Sequence, residues 1–369
     1  MKKVCIFISD EGFGHVVRQT AIISILLKKI KNLQITVVTN SKIYLLKEKF
    51  GNQILFDDYH NNISTIKNKD SSLNTKKTKK MFDNWKKKSE NWIKRNTNKY
   101  SDIDLFISDF VPDAFRLGKI LNKPCIGVAH FTWDWFYGKL YSKNDNTYKY
   151  LTELISEASK LYFPPFTPTS IIKKYKNKIK KINFILSDFK SSKITVNKKN
   201  CLIMDNGTQN LRDLIIKTIP YLNKIKDFEF IIRTDNLPDR SKKLILNSNN
   251  LIPVSGLKNT HSKILEADII IARGGFNTIS ECLSLKKPSI LFNEKNNPEI
   301  YENITNIKKN NYASLMNIDD WGKNFEKKIK LFYSKDYHKI KFCLKKSNFL
   351  TSGPIQIFKE INFFLKPKK

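Results

Sequence analysis

The chain has 369 residues, with 67 Lys and Arg against 34 Asp and Glu and a formal net charge of +33. A hydrophobic fraction of 40% excludes a disordered chain, and the length suggests two domains at roughly 150 residues each. Seven of the basic residues are Arg, at 18, 95, 116, 212, 233, 240 and 273. Readers of phosphate and bases favour Arg forks, so the charge reads as a Lys-rich solvated surface, and specific nucleic-acid binding is not expected.

Val4 to Ile8 is a continuous apolar run, the kind of strand buried on both faces of a parallel sheet. The turn Glu11-Gly12-Phe13-Gly14 follows, and Ile22, Ile23, Leu26, Leu27 and Ile30 then recur at helical spacing. Ile35 to Thr39 is the second strand, which completes a β-α-β unit with a right-handed crossover. The run from Val4 to Ser9 is too short for a secretory leader, and no apolar stretch approaches the roughly 18 residues of a membrane span.

Residues 62 to about 100 are rich in Lys, Asn and Ser, and the spacing of Met81, Phe82, Trp85, Trp92 and Ile93 predicts an amphipathic helix from Lys80 to Arg95. It is either a surface helix packing its Trp face on the domain or a peripheral, membrane-facing or acceptor-gripping element. Strands are predicted over Leu105–Ser108, Cys125–Ala129 and Leu161–Phe163, with a helix over Ala114–Leu121. Pro164, Pro165 and Pro168 break the pattern.

The alternation restarts at Cys201. Strands are expected at Cys201–Met204, Phe228–Arg233, Ile252–Val254, Asp268–Ala272 and Ser289–Phe292, with helices between them. This gives a first domain over 1–168, a linker over 169–199, a second domain over 200–350, and a last helix over 351–369 that packs back on the first. The fold class is α/β, with two Rossmann-like doubly wound domains facing a cleft.

The five cysteines are scattered, with no CxxC pair, and no HExxH is present, so neither a metal nor a cofactor is implied. Thiols set in apolar runs fit a reducing, cytoplasmic setting, where the inner membrane face is the surface a basic domain would meet.

Ala267 to Glu281 carries the strongest chemical signal. A buried strand runs through Arg273 into Gly274-Gly275 and then into a helix. Glycine lets a backbone approach phosphate closely, and a helix N-terminus offers N–H groups and partial positive charge to a diphosphate. Asn277 or Thr278 is placed to cap that helix, and Glu281, one turn in, suits a vicinal ribose diol.

This stretch, with Lys287-Pro288 and an apolar strand after it, resembles the C-terminal domain of family 28 glycosyltransferases over about 110 residues. The resemblance implies the GT-B fold, with the donor held by the second domain. It also implies that Gly274, Gly275, Asn277 and Thr278 line the diphosphate and Glu281 takes the ribose hydroxyls. Gly207 and Thr208 fall where the family has a glycine loop. Leu257, after Ser255-Gly256, falls where the base is held, and Glu299 where sugar hydroxyls are bound.

Gly12-Phe13-Gly14-His15-Val16-Val17-Arg18 has the pattern G-x-G-H-x-x-R. It resembles the same family and its relatives, including a UDP-sugar hydrolase group of the same fold. His15 at a helix N-terminus has its charged form disfavoured by the dipole, which suits a general base. Arg18 either meets phosphate or pairs with Asp10 or Glu11. The loops at Ser108–Asp113 and at His130, Trp133 and Asp134 fall at carboxyl ends of strands, where open α/β sheets bind ligands. Asp109 either orients His15 or binds the acceptor. Trp133 and Trp135 either stack a sugar or pack in the core.

The expected function is an inverting, metal-independent glycosyltransferase. It takes a nucleotide-diphosphate sugar, UDP-linked, and an acceptor hydroxyl on a glycan, a lipid-linked or a small molecule. Two alternatives stand beside it. One is a nucleotide-sugar hydrolase of the same fold, and the other a non-catalytic sugar-nucleotide or polyanion-binding module.

Overall fold

In a computed structural model the apolar runs form two separate parallel sheets. The structure describes residues 1–40, 42–59, 63–68, 72–186, 199–205, 209–294 and 297–366, without the side chains of 257–261. The first sheet contains β1 (Lys2–Ile8), β2 (Leu33–Thr39), β3 (Leu55–Asp58), β4 (Leu105–Asp109), β5 (Cys125–Val128), β6 (Lys160–Phe163) and β7 (Ile179–Lys181). Their order is β3-β2-β1-β4-β5-β6-β7. The second contains β8 (Lys199–Ile203), β9 (Phe228–Arg233), β10 (Leu251–Val254), β11 (Ile269–Arg273), β12 (Ser289–Phe292) and β13 (Ser314–Met316), in the order β10-β9-β8-β11-β12-β13. The chain divides into one compact unit of Met1–Asn68, Leu73–Asp188 and Leu350–Lys369, and a second of Lys69–Ser72 and Phe189–Phe349.

Strand β1 shows why the pattern folds this way. Its side chains alternate between two cores: Val4, Ile6 and Ile8 enter one, Cys5 and Phe7 the other. Each buried apolar side chain contributes about 1.5–3 kcal/mol of transfer free energy, so a slip of one residue in register is strongly disfavoured. On the first face the helix Gly14–Lys29 lays down Val16, Ile22, Ile23 and Leu26. The helix Gly353–Phe364 joins that core through Ile357 and Ile361. Gly353 is needed there, because a Cβ would sit 2.5 Å from the Asn183 carbonyl oxygen.

The helix expected over Lys80–Arg95 spans Thr75–Asn96, capped by Asn74, whose side chain accepts from the Lys77 N–H at 2.9 Å. Its apolar face turns inward. Phe82 and Trp85 are buried in the second core of the first unit, Ile93 is buried as well, and Trp92 stacks on Tyr59 at 4.1 Å. The tryptophans therefore anchor the helix to its domain, and Lys76, Lys77, Lys80, Lys87, Lys88 and Lys94 face solvent.

Three strands are absent from the sequence reading: β3, β7 and β13. Each is an edge strand of three or four residues without a continuous apolar run. One consequence is a correction. Residues 169–181, expected as linker, carry the helix Thr169–Lys174 and β7, which pairs with β6 through Leu161 and Ile179. Ile171 and Tyr175 enter the core and hold this segment to the first unit.

Candidate functional site

In both sheets the strand order reverses beside the first strand of the unit, between β1 and β4 and between β8 and β11. Such a switch point opens a crevice outside the carboxyl ends of the strands.

At the first switch point Ile8 is in register with Asp109, so β1 and β4 end together. The chain leaves β1 through Ser9 to Phe13, with Gly12 exposed in the left-handed region at φ +64°, and enters its helix at Gly14. No side chain caps that helix. His15 lies in its first turn, and its Nδ1 is 2.8 Å from Asp109 Oδ1. Arg18, one turn on, is also drawn to Asp109: its Nε donates to Oδ2 at 3.0 Å and its second nitrogen to Oδ1. Gln19 Nε2 donates to Oδ2 at 2.9 Å. Asp109, Arg18 and Gln19 are all buried.

This arrangement settles the tautomer of His15. Asp109 Oδ1 is an acceptor only, so a bare Nδ1 at 2.8 Å would set two lone pairs against each other. Nδ1 therefore carries the proton, and Nε2 is the basic nitrogen. Among the described residues Nε2 has no protein partner. Burial by itself would raise the Asp109 carboxyl, but the Arg18 guanidinium and His15 outweigh it and hold it at about 2. Glu11, half-buried in the turn, is pushed up by burial, with His15 as the largest opposing influence.

Phe110 follows Asp109 with φ +64°, a conformation that costs a bulky residue about 1–3 kcal/mol. The Ser108 hydroxyl holds the turn, accepting from the Val111 N–H at 3.2 Å and donating to its carbonyl at 2.7 Å. The Phe110 ring meets the His15 ring edge-on at 4.9 Å and forms the floor of the site.

The other expected residues of this unit fall differently. Arg18 does not pair with Asp10 or Glu11 and is not open to phosphate, because Asp109 takes its guanidinium. Trp133 and Trp135 are core residues. Trp133 donates its indole N–H to the Phe110 carbonyl at 2.8 Å and packs among Phe131, Phe136 and Tyr137, which leaves no ring face for a sugar. Asp134 is buried too, bound by Lys174 at 2.5 Å and Tyr175 at 2.8 Å. His130 packs on Phe110 and Phe131, behind the His15 contact.

At the second switch point β11 ends at Arg273, and Gly274-Gly275 turns into the helix Phe276–Ser284. The two glycines have different work. A Cβ on Gly274 would lie 2.7 Å from Ile304 Cγ1, and its carbonyl accepts from Asn303 Nδ2 at 3.2 Å. Gly274 is therefore small so that the helix Pro298–Lys309 can pack. A Cβ on Gly275 would meet nothing within 4 Å, so this is the glycine with open space for a ligand.

Gly275 itself is the N-cap and no side chain caps the helix, contrary to the expected cap from Asn277 or Thr278. Both residues sit inside the first turn, where their backbones are helical. Arg273 Nε is bound to Glu294 Oε2 at 2.5 Å, so this side of its guanidinium faces a carboxylate. Glu281 lies on the second turn and is 6% exposed, and Asn277 is half-buried. The Gly256 N–H donates to Asp235 Oδ1 at 2.8 Å, and Leu257 opens the helix Leu257–Glu266. Glu299 is half-buried in the first turn of the helix Pro298–Lys309, its N–H bound to the Asn297 side chain at 3.0 Å. Gly207 and Thr208 lie outside the described residues, as does the Leu257 side chain.

Gln19, Phe110 and Glu294 were not singled out by the sequence. Gln19 and Arg18 were legible in principle, since they stand four and three residues after His15 and so share its helix face.

Among the described residues no group of three or more His, Cys, Asp or Glu is placed to hold a metal, and no helix is long and apolar enough to cross a membrane.

Comparison with known proteins sets this geometry in a class. Residues 206–345 match the glycosyltransferase family 28 C-terminal domain. The calicheamicin glycosyltransferase CalG4 superposes with a TM-score of 0.70 at 11% identity, covering 99% of this chain and 98% of that one. Phytolacca americana UGT2, complexed with UDP-2fluoro-glucose and pterostilbene, gives 0.67 at 9% identity, with 98% and 99% covered. MurG of Acinetobacter baumannii gives 0.62 at 14% identity, with 98% and 100% covered. No curated protein sequence matches the chain. The chain has the GT-B fold. Its second unit carries a match to the glycosyltransferase family 28 C-terminal domain, which supports glycosyltransferase activity.

Proposed function

We propose that the protein is an inverting glycosyltransferase that uses a UDP-linked sugar and His15 as general base. The observation that carries this reading is the His15–Asp109 pair, with Nε2 as the basic nitrogen, at the first unit's switch point in a chain whose second unit matches a family 28 domain. His15 Nε2 takes the proton of an acceptor hydroxyl. The acceptor oxygen attacks the anomeric carbon as the bond from that carbon to the diphosphate oxygen breaks. The bond electrons leave with the nucleoside diphosphate, and the anomeric configuration inverts.

The second unit holds the donor. The diphosphate lies against Gly275 and the N-terminus of the helix Phe276–Ser284, beside Asn277 and Thr278, and the ribose hydroxyls meet Glu281. The partial positive charge of the helix end stabilises the leaving diphosphate, so transfer proceeds without a metal. Gly207, Thr208 and Leu257 belong to the same donor site, with Glu299 beside the sugar. The acceptor is a hydroxyl on a glycan, a lipid-linked or a small molecule, reached past Gly12 and Gly14.

The test is transfer from UDP-sugars to a panel of acceptors, with NMR of the new anomeric centre and a parallel assay in chelator. Retained configuration, or activity abolished by chelator, overturns the mechanism. A second reading, hydrolysis with His15 activating water, shares the same base. Incubation without acceptor separates the two, because stoichiometric release of free sugar at the full rate selects the hydrolase.

A further inference from the structure

Four donors converge on one buried carboxylate beside His15, and this is more than orientation of a ring requires. His15 alone would fix the Nδ1–H tautomer with one bond to Asp109. Arg18 adds a cation that touches both carboxylate oxygens and also lies 3.1 Å from His15 Nδ1. Arg18 donates only, and Nδ1 already carries a proton, so this last contact is not a hydrogen bond. It sets a guanidinium against the ring edge that would carry the charge of an imidazolium.

The groups facing His15 are Asp109 from β4, Arg18 from its own helix, Glu11 from the preceding turn and the neutral Phe110 ring. A buried carboxylate with no opposing charge favours the protonated ring, the form that cannot act as a base. We propose that Arg18 is a positioning residue that cancels the field of Asp109 at His15 and so keeps the ring neutral and ready to accept a proton. Gln19 completes the clamp without adding charge. Both residues act through Asp109 and touch no substrate.

This inference rests on His15 being the base, and its test separates the two ideas by reading the ring directly. Nitrogen-15 NMR of the His15 imidazole is followed against pH in the full chain, alongside the pH profile of kcat. Removing the cation in Arg18→Gln lets the carboxylate hold a second ring proton. The neutral ring is then lost at higher pH, and both the NMR transition and the acid limb of kcat move up by about one pH unit or more. Arg18→Lys restores the charge and returns both towards wild type. A folded Arg18→Gln whose ring titration matches wild type overturns the proposal, as does a uniform loss of kcat at every pH with no movement of the NMR transition. The expected NMR shift without any transferase activity would leave the charge balance standing and remove the functional reading instead.

Arg18→Gln leaves a buried carboxylate unpaired and is prone to misfolding, whereas removing both charges is far better tolerated. If the single variant does not fold, the pair Arg18→Gln with Asp109→Asn is titrated. Cancelling fields predict a transition within about half a unit of wild type, and a fall of about one unit or more shows that Asp109 was not cancelled and overturns the proposal.

Discussion

The two switch points share a strand order and differ in what they are made of. At the first, the chemistry lies in side chains that fix one another: the half-buried His15 and the buried Asp109, Arg18 and Gln19. At the second it lies in backbone, a glycine with open space at a helix end that, like the first, has no side-chain cap. A side-chain site can move protons and an N–H cradle can hold an anion, so on the proposed function the same topology is divided between reaction and grip.

The largest effect that sharpens this contrast is at His15. In His15→Ala, kcat should fall by about 10²–10⁴-fold while UDP affinity, measured by calorimetry, stays within about twofold of wild type. Equal loss of binding and turnover would make His15 a structural residue and erase the division of labour.

Asp109 gives the next effect, on stability. Its folded carboxyl lies at about 2 against an ordinary 3.8. Folding therefore holds the ionised form, whose stabilisation is present above the unfolded value and is lost as pH falls from about 4 towards 2. Denaturant unfolding should show that loss in the wild type and a flatter profile for Asp109→Asn, which starts lower at neutral pH because Arg18 is left unpaired. Parallel profiles for the two proteins would mean that the carboxylate is not held by its partners.

The glycines supply a smaller, paired test at the second switch point. Gly274→Ala forces a Cβ against Ile304 and should cost about 1–3 kcal/mol, read as a lower Tm. Gly275→Ala meets nothing in the protein, so Tm should hold while the donor KM rises several-fold. The reverse pattern breaks the assignment of Gly274 to packing and Gly275 to ligand. Smallest of all, Lys87→Glu and Lys88→Glu on the outward face of Thr75–Asn96 should change stability by less than about 0.5 kcal/mol and leave transfer intact. A loss of turnover there would give this basic face a part in function.

The second switch point was more legible in the sequence than the first, for a physical reason. Gly274, Gly275 and Glu281 lie within eight residues of one another, so a local strand, turn and helix pattern contains them. The pairing of Arg18 with Asp109 spans 91 positions, and nothing in local spacing says which of Asp10, Glu11 and Asp109 will take the guanidinium. Trp133 and Asp134 show the same limit from the other side. Their position after a strand end suggested a ligand, and only packing against Phe110, Phe131 and Tyr175 reveals them as core. The strands with a continuous apolar run were readable, and the edges β3, β7 and β13, which lack one, were not.

The return of the last helix to the first unit bears on how the protein is made. The core above β1 is closed by Ile357 and Ile361, which are synthesised 176 and 180 residues after the end of β7 at Lys181. While the second unit is being translated, the first carries an uncovered apolar face around Ile22 and Leu26, and it is finished only after the helix Gly353–Phe364 has left the ribosome. That face is therefore exposed to chaperones and proteases while Phe189–Phe349 is made, and a truncation that removes the helix Gly353–Phe364 would damage the earliest part of the fold.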